Sequence, residues 1–115
     1  MTFKINRYLA LGAALLSVAG SALAMGGSSA GSPNETPEVR KGRILYDQAC
    51  YKCHGPGAVS GGTIPDLRRF KGNDDEFLAT VREGRVPRGM PSWKEFLNDD
   101  EIRAIRAFVK SVPVN

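Results

Sequence analysis

Cys50-Tyr51-Lys52-Cys53-His54 reads C-x-x-C-H, the spacing for covalent attachment of a c-type haem. The two thiols of such a motif add across the haem vinyl groups, and two intervening residues let both sulfurs reach them from one helical turn. His54 follows directly, so its imidazole comes under the iron as the proximal ligand. It is the chain's only histidine, and Cys50 and Cys53 are its only cysteines. The competing reading is a disulfide or a thioredoxin-like redox pair. A redox pair of that kind follows a strand and opens a helix, whereas this motif ends a helical pattern. A zinc site needs four Cys/His ligands, and only three exist here, all adjacent.

Working outward, the N-terminus has the form of an export signal. Lys4 and Arg7 make a positive start, residues 8–18 are apolar, and Ala22-Leu23-Ala24 is a small-x-small cleavage site. The expected domains are a signal peptide over 1–24, a flexible tether over 25–36 and one folded unit over 37–115. The apolar run is broken by Gly12, Ser17, Gly20 and Ser21, so it is a poor membrane span, and no second run exists. The expectation is a soluble periplasmic protein after cleavage. Export and haem attachment agree, because the thioethers are made outside the bacterial cytoplasm. A bridge closing over two residues would constrain little of the unfolded chain.

The formal charge of +4 includes Lys4 and Arg7; without them, 14 basic groups face 12 acidic ones, or +2. No basic run and no aromatic stacking pattern is present, so nucleic-acid binding is not suggested. The Gly/Ser/Pro-rich stretch 25–36 has nothing to bury. A folded unit this small is marginal alone and usually needs a staple; a haem plate would supply one.

Three helices are expected. The first runs over 37–50, with Pro37 and Glu38 suited to its first turn and Val39, Ile44, Leu45 and Ala49 on one face beside Gly42 and Tyr46. The second covers 73–83, with Asn73 and Glu76 as a capping box, Phe77, Leu78 and Val81 inward, and Gly84 at its end. The last covers 98–110, capped by Asn98 and buried through Ile102, Ile105, Phe108 and Val109. Gly55-Pro56-Gly57 and Gly61-Gly62 are loops, as is 85–91. A carbonyl in Ile64-Pro65-Asp66-Leu67 can accept the His54 Nδ1–H bond. Nothing alternates with period two, so the fold is all-α.

A sole histidine leaves Met, Lys or an open position for the sixth iron ligand. Met90 stands on a Gly/Pro-stiffened loop, 37 residues after Cys53, where the chain can wrap to the opposite haem face. Its thioether is a soft ligand that favours Fe(II) and raises the reduction potential. The alternative for Met90 is a gap-filling core methionine.

Cys50-x-x-Cys53-His54 with Gly89-Met90-Pro91 resembles the small class I c-type cytochromes over about 37–112. Gly42 and Tyr46 with Phe108 resemble that family's helix crossing, and Pro65 its loop proline, whose carbonyl takes the proximal imidazole proton. The resemblance implies short helices wrapped around one covalent haem c. The run Cys53-His54-Gly55 through Ile64-Pro65-Asp66-Leu67-Arg68 is similar to the haem domain of quinohaemoprotein alcohol dehydrogenases. That likeness implies a freestanding carrier accepting electrons from a separate pyrroloquinoline quinone (PQQ) dehydrogenase and passing them to a terminal oxidase or another cytochrome. Arg68 and the Trp93 indole can pair with haem propionates; a solvated arginine and a core tryptophan are the alternatives. No acid, base or nucleophile stands beside the iron, so the expectation is an electron carrier and not an enzyme. A ligand-sensing haem protein and a fixed dehydrogenase subunit are the other two readings.

Overall fold

Helix α1 (Pro37–Ala49) and the last helix, α4 (Asp99–Ser111), cross at the centre of the molecule. The computed structural model describes residues 31–115, so the signal and its cleavage site lie outside the described residues. Between the two long helices come the short α2 (Tyr51–His54), α3 (Asp74–Glu83) and single 3-10 turns at Pro56–Ala58, Leu67–Arg69 and Val86–Arg88. Among the described residues there is no strand, only one antiparallel bridge between Arg85 and Met90. The all-α expectation is met.

The crossing depends on a missing side chain. A Cβ on Gly42 would overlap the Ala104 carbonyl oxygen of α4, so the two backbones touch only because residue 42 is glycine. One turn on, the Tyr46 ring is fully buried and lies 5.3 Å from the Phe108 ring, tilted by 54°, within the range of favourable aromatic pairing. Ile102, Ile105 and Val109 complete a fully buried layer beneath it. These are the residues the 3.6-residue periodicity of α4 picks out.

Ile44 is a correction. It was expected on the buried face of α1 but is 46% exposed. Stepping 100° per residue, Val39, Gly42, Tyr46 and Ala49 share one side of the helix, and Ile44 falls well off it. The boundaries also shift slightly. Helix α1 stops at Ala49, Cys50 (φ −111°, ψ −29°) makes a joint, and α2 resumes at Tyr51. Arg85–Pro91 is a closed loop containing a 3-10 turn at Val86–Arg88.

Both later helices begin with a complete capping box. The Asn73 side chain accepts the Glu76 N–H and the Glu76 carboxylate accepts the Asn73 N–H, each at 2.8 Å. Asn98 and Glu101 repeat the arrangement at 2.9 Å. Each box satisfies two of the orphan donors at a helix start.

The end of the stretch read as a tether has a fixed place. Residues 32–35 form a turn, and the Glu35 carboxylate accepts from Arg43 NH2 at 2.9 Å and from Arg40 Nε at 3.2 Å. Only 7% of the Glu35 side chain is exposed, so the expectation that nothing is buried before Pro37 fails at this residue. The Arg43 guanidinium beside it holds the Glu35 carboxyl below its ordinary range.

Candidate haem-binding site

The short helix α2 places Cys50, Cys53 and His54 within one turn, since the His54 N–H donates to the Cys50 carbonyl at 2.9 Å. Both thiols are free; Cys53 is exposed and Cys50 partly covered. Burial pushes the Cys50 thiol up to about 12, with Cys53 adding to the shift. The turn ends abruptly at Gly55 (φ 76°), where any Cβ would overlap the Val59 carbonyl. The Tyr46 hydroxyl donates to the Gly55 carbonyl at 2.6 Å. Thus the tyrosine of the helix crossing also fixes the Gly55–Pro56 peptide, one residue beyond His54. Burial raises the Tyr46 hydroxyl above its ordinary value and keeps it protonated as the donor.

His54 is buried, and its Nδ1 lies 3.1 Å from the Pro65 carbonyl oxygen. A carbonyl only accepts, so Nδ1 carries the proton, and in the neutral imidazole Nε2 keeps the lone pair. That is the tautomer a metal-binding imidazole needs. The expectation about the Pro65 carbonyl is met in geometry.

Met90 is half-buried against the core cluster that includes Tyr46, Phe77 and Phe108. Its loop is closed by a reciprocal pair: Arg85 N–H to Met90 O at 2.9 Å and Met90 N–H to Arg85 O at 3.2 Å. Gly89 takes the left-handed conformation (φ 85°) that turns the chain into Met90. Trp93 follows, its backbone N–H donating to the Val81 carbonyl at 3.1 Å and its ring edge-on to Phe96 at 6.1 Å.

The Arg68 guanidinium is engaged within the fold and is not a solvated arginine: Nε and NH2 donate to the two Asp66 carboxylate oxygens at 3.0 and 2.7 Å, and NH1 to the Pro113 carbonyl at 2.7 Å. Asp66, which the motif reading passed over, also caps the 3-10 turn by accepting the Arg68 N–H at 3.1 Å. Its sequence signal is a short acidic side chain two residues before a basic one, just after a proline. Arg68 holds the Asp66 carboxyl below the usual range.

The residues fit a covalently held haem. Two thiols and an imidazole with a free Nε2 share one helical turn, and Val59, Ile64 and Val86, on the loops that follow His54 and precede Met90, present exposed apolar side chains. Solvent-exposed valine and isoleucine of this kind suit an apolar plate. Two clefts elsewhere on the molecule carry no such donors: one of about 400 Å³ lies between α3 and α4 near Phe77 and Arg106, the other of about 650 Å³ beside Glu35 and Pro113.

Two helices crossing at Gly42 and Tyr46, a C-x-x-C-H turn and a histidine bonded to a loop-proline carbonyl define a c-type cytochrome domain. The chain belongs to the cytochrome family whose model is described as cytochrome c oxidase, cbb3-type, subunit III, matched over residues 37–109. It is 39% identical over 77 residues to quinohemoprotein alcohol dehydrogenase ADH-IIG of Pseudomonas putida, covering 66% of this chain and 11% of that one. It is 37% identical over 83 residues to cytochrome c550 of Pseudomonas aeruginosa, covering 67% of this chain and 57% of the other. The solved structure of ADHIIG from Pseudomonas putida HK5 superposes with a TM-score of 0.60 at 36% identity, over 71% of this chain and 12% of that one. The chain thus spans about a tenth of the length of the dehydrogenases it matches. As a c-type cytochrome it is an electron carrier with covalently bound haem c. The haem supplies the one-electron chemistry; the protein binds, orients and insulates it.

Proposed function

We propose that this is an exported, periplasmic one-electron carrier with a single haem c on Cys50 and Cys53, His54 Nε2 and the Met90 sulfur being its axial ligands. The observation that carries the reading is the 3.1 Å contact between His54 Nδ1 and the Pro65 carbonyl, which leaves Nε2 unprotonated beside two free thiols. Closure of the 85–90 loop onto Met90 supports the thioether as second ligand. A quinoprotein alcohol dehydrogenase is the proposed donor, supported by the likeness to the cytochrome part of ADH-IIG and ADH IIB. A terminal oxidase or a further cytochrome is the acceptor. No helix among the described residues is long and apolar enough to cross a membrane.

The test is coordination. Colour should stay with the chain on acid-acetone extraction, and the oxidised protein should show the weak far-red band of iron–thioether bonding. Met90→Ala should lose that band, lower the potential and admit carbon monoxide to the reduced protein. Ready carbon monoxide binding by the wild type would favour a ligand-sensing haem protein instead. A second reading is a cytochrome held permanently in a larger dehydrogenase complex. It is favoured by relatives that carry this region as 11% of a longer chain, and purification of the protein alone in reducible form would remove it.

A further inference from the structure

The Pro65 carbonyl that receives the His54 proton sits at the end of a loop with little else to hold it. Residues 59–65 are exposed apart from Ser60, and a Cβ on either Gly61 or Gly62 would meet nothing within 4 Å. On the N-terminal side, the Ser60 hydroxyl donates to the Ile64 carbonyl. On the C-terminal side, directly after Pro65, the backbone is tied into a fork. Asp66 holds Arg68 through both carboxylate oxygens, and Arg68 in turn donates to the Pro113 carbonyl, 45 residues on. The Arg68 and Asp66 side chains are only 11% and 15% exposed. Pro113 follows α4, which is locked to α1 at Gly42. The fork therefore connects the segment that leaves α4 to the peptide whose carbonyl faces His54. Paired, bidentate guanidinium–carboxylate contacts have the directional stiffness for such a role.

We infer that the Asp66–Arg68–Pro113 clamp is a positioning device that sets the hydrogen bond between Pro65 and His54, and through it the donor strength of Nε2. The inference rests on His54 being the proximal ligand. A strong Nδ1–H bond puts negative charge on the imidazole and favours the ferric state; a slack bond favours the ferrous state. Arg68 acts through Asp66 and the Pro65 peptide. Pairing of Arg68 with a propionate makes the opposite prediction for its loss, because removing a cation from beside the haem favours the ferric state.

The test is the double variant Asp66→Ala with Arg68→Ala, which removes the clamp without changing net charge. The measurements are the reduction potential of the haem-loaded protein and the exchange of the His54 Nδ1 proton with solvent, followed by NMR in the reduced state. The clamp predicts faster exchange and a shift of the redox equilibrium toward the ferrous form of about tenfold, the scale on which outer-shell partners tune a metal centre. For a one-electron couple that is about 59 mV upward. Arg68→Lys keeps the charge but not the fork; it should move both readings the same way by less, and it stands in if the double variant fails to mature. A falling potential would assign Arg68 to a propionate. A lowered melting temperature with both readings unchanged would reduce the clamp to a structural tie. If the wild-type His54 ring proton lacks the upfield shift of a haem-ligated imidazole, the ligation reading itself fails, separately from the clamp.

Discussion

Gly42 and Ala104 meet backbone to backbone, and the consequence of filling that contact is sharp. In an ordinary helix, Gly→Ala gains about 1 kcal/mol. Here the new Cβ would overlap a carbonyl oxygen of a packed helix, which cannot rotate aside as a side chain tip can. Overpacking typically costs about 1–3 kcal/mol, and a clash with main chain belongs at or above the top of that range. Gly42→Ala should therefore lower the melting temperature of the haem-loaded protein despite its better helix propensity; a rise would show that the crossing relaxes freely. At this scale the sequence was readable where one residue's role is fixed by its type. A glycine four before an aromatic pointed to the crossing, and a lone histidine after C-x-x-C pointed to the imidazole that the Pro65 carbonyl holds. It was not readable where the role depends on a distant partner. Glu35 is buried only because Arg43 comes round one helical face to meet it, and Arg68 has its place only because Pro113 arrives beside it. Ile44 misled because apolar character alone does not set a helical face.

Helices α3 and α4 start at the positions their Asn…Glu pairs mark, since a capping box is local and needs only the first turn. The contacts between elements are another matter. Asp74, in the first turn of α3, accepts from Arg106 Nε at 3.0 Å and from Lys110 Nζ at 3.2 Å, both on α4. The Arg106 guanidinium also lies 5.2 Å from the Phe70 ring centre and 5.1 Å from that of Phe77, in the range of cation–π attraction. No periodicity within α3 or α4 announces this pairing, because it joins residues 32 and 36 apart. Arg106 first, then Lys110, hold the Asp74 carboxyl below its ordinary value. A carboxyl depressed by folding stabilises the native state above its unfolded pKa and loses that contribution as pH falls through its folded pKa. Asp74→Asn should accordingly be less stable than wild type at neutral pH. The difference in urea midpoint should close on acidification from the ordinary aspartate range downward. A gap constant through that window would mean the carboxylate's charge is not what joins α3 to α4.

Across the whole molecule, charge bears on how the carrier meets its partners. Arg82, Arg85, Arg88 and Lys94 surround the Met90 loop in sequence, which would suit a basic docking rim. The fold divides them: Arg82 pairs with Asp99 at 3.2 Å and Lys94 with Glu83 at 3.8 Å. Arg85 precedes the 3-10 turn and Arg88 ends it, with Val86 67% exposed between them. Under the proposed axial ligation by Met90, this loop lies against one haem face, so the cation pair and Val86 belong to the surface a redox partner approaches. Transient redox complexes use small interfaces, and rim charge acts on encounter more than on affinity. With a charge of only +2 over residues 25–115, the long-range field is weak, and steering should sit at the low end of its usual range. The measurement is the second-order rate of cytochrome reduction by a quinoprotein alcohol dehydrogenase. Arg85→Glu with Arg88→Glu should slow it by roughly tenfold at low ionic strength, without moving the potential. The difference should shrink as salt shortens the screening length to about 10 Å at 0.1 M. Arg82→Gln should do much less, because Asp99 already neutralises that side chain. A rate indifferent to both salt and charge reversal would assign docking to the apolar tip at Val86, and Val86→Asp would then be the change that slows it.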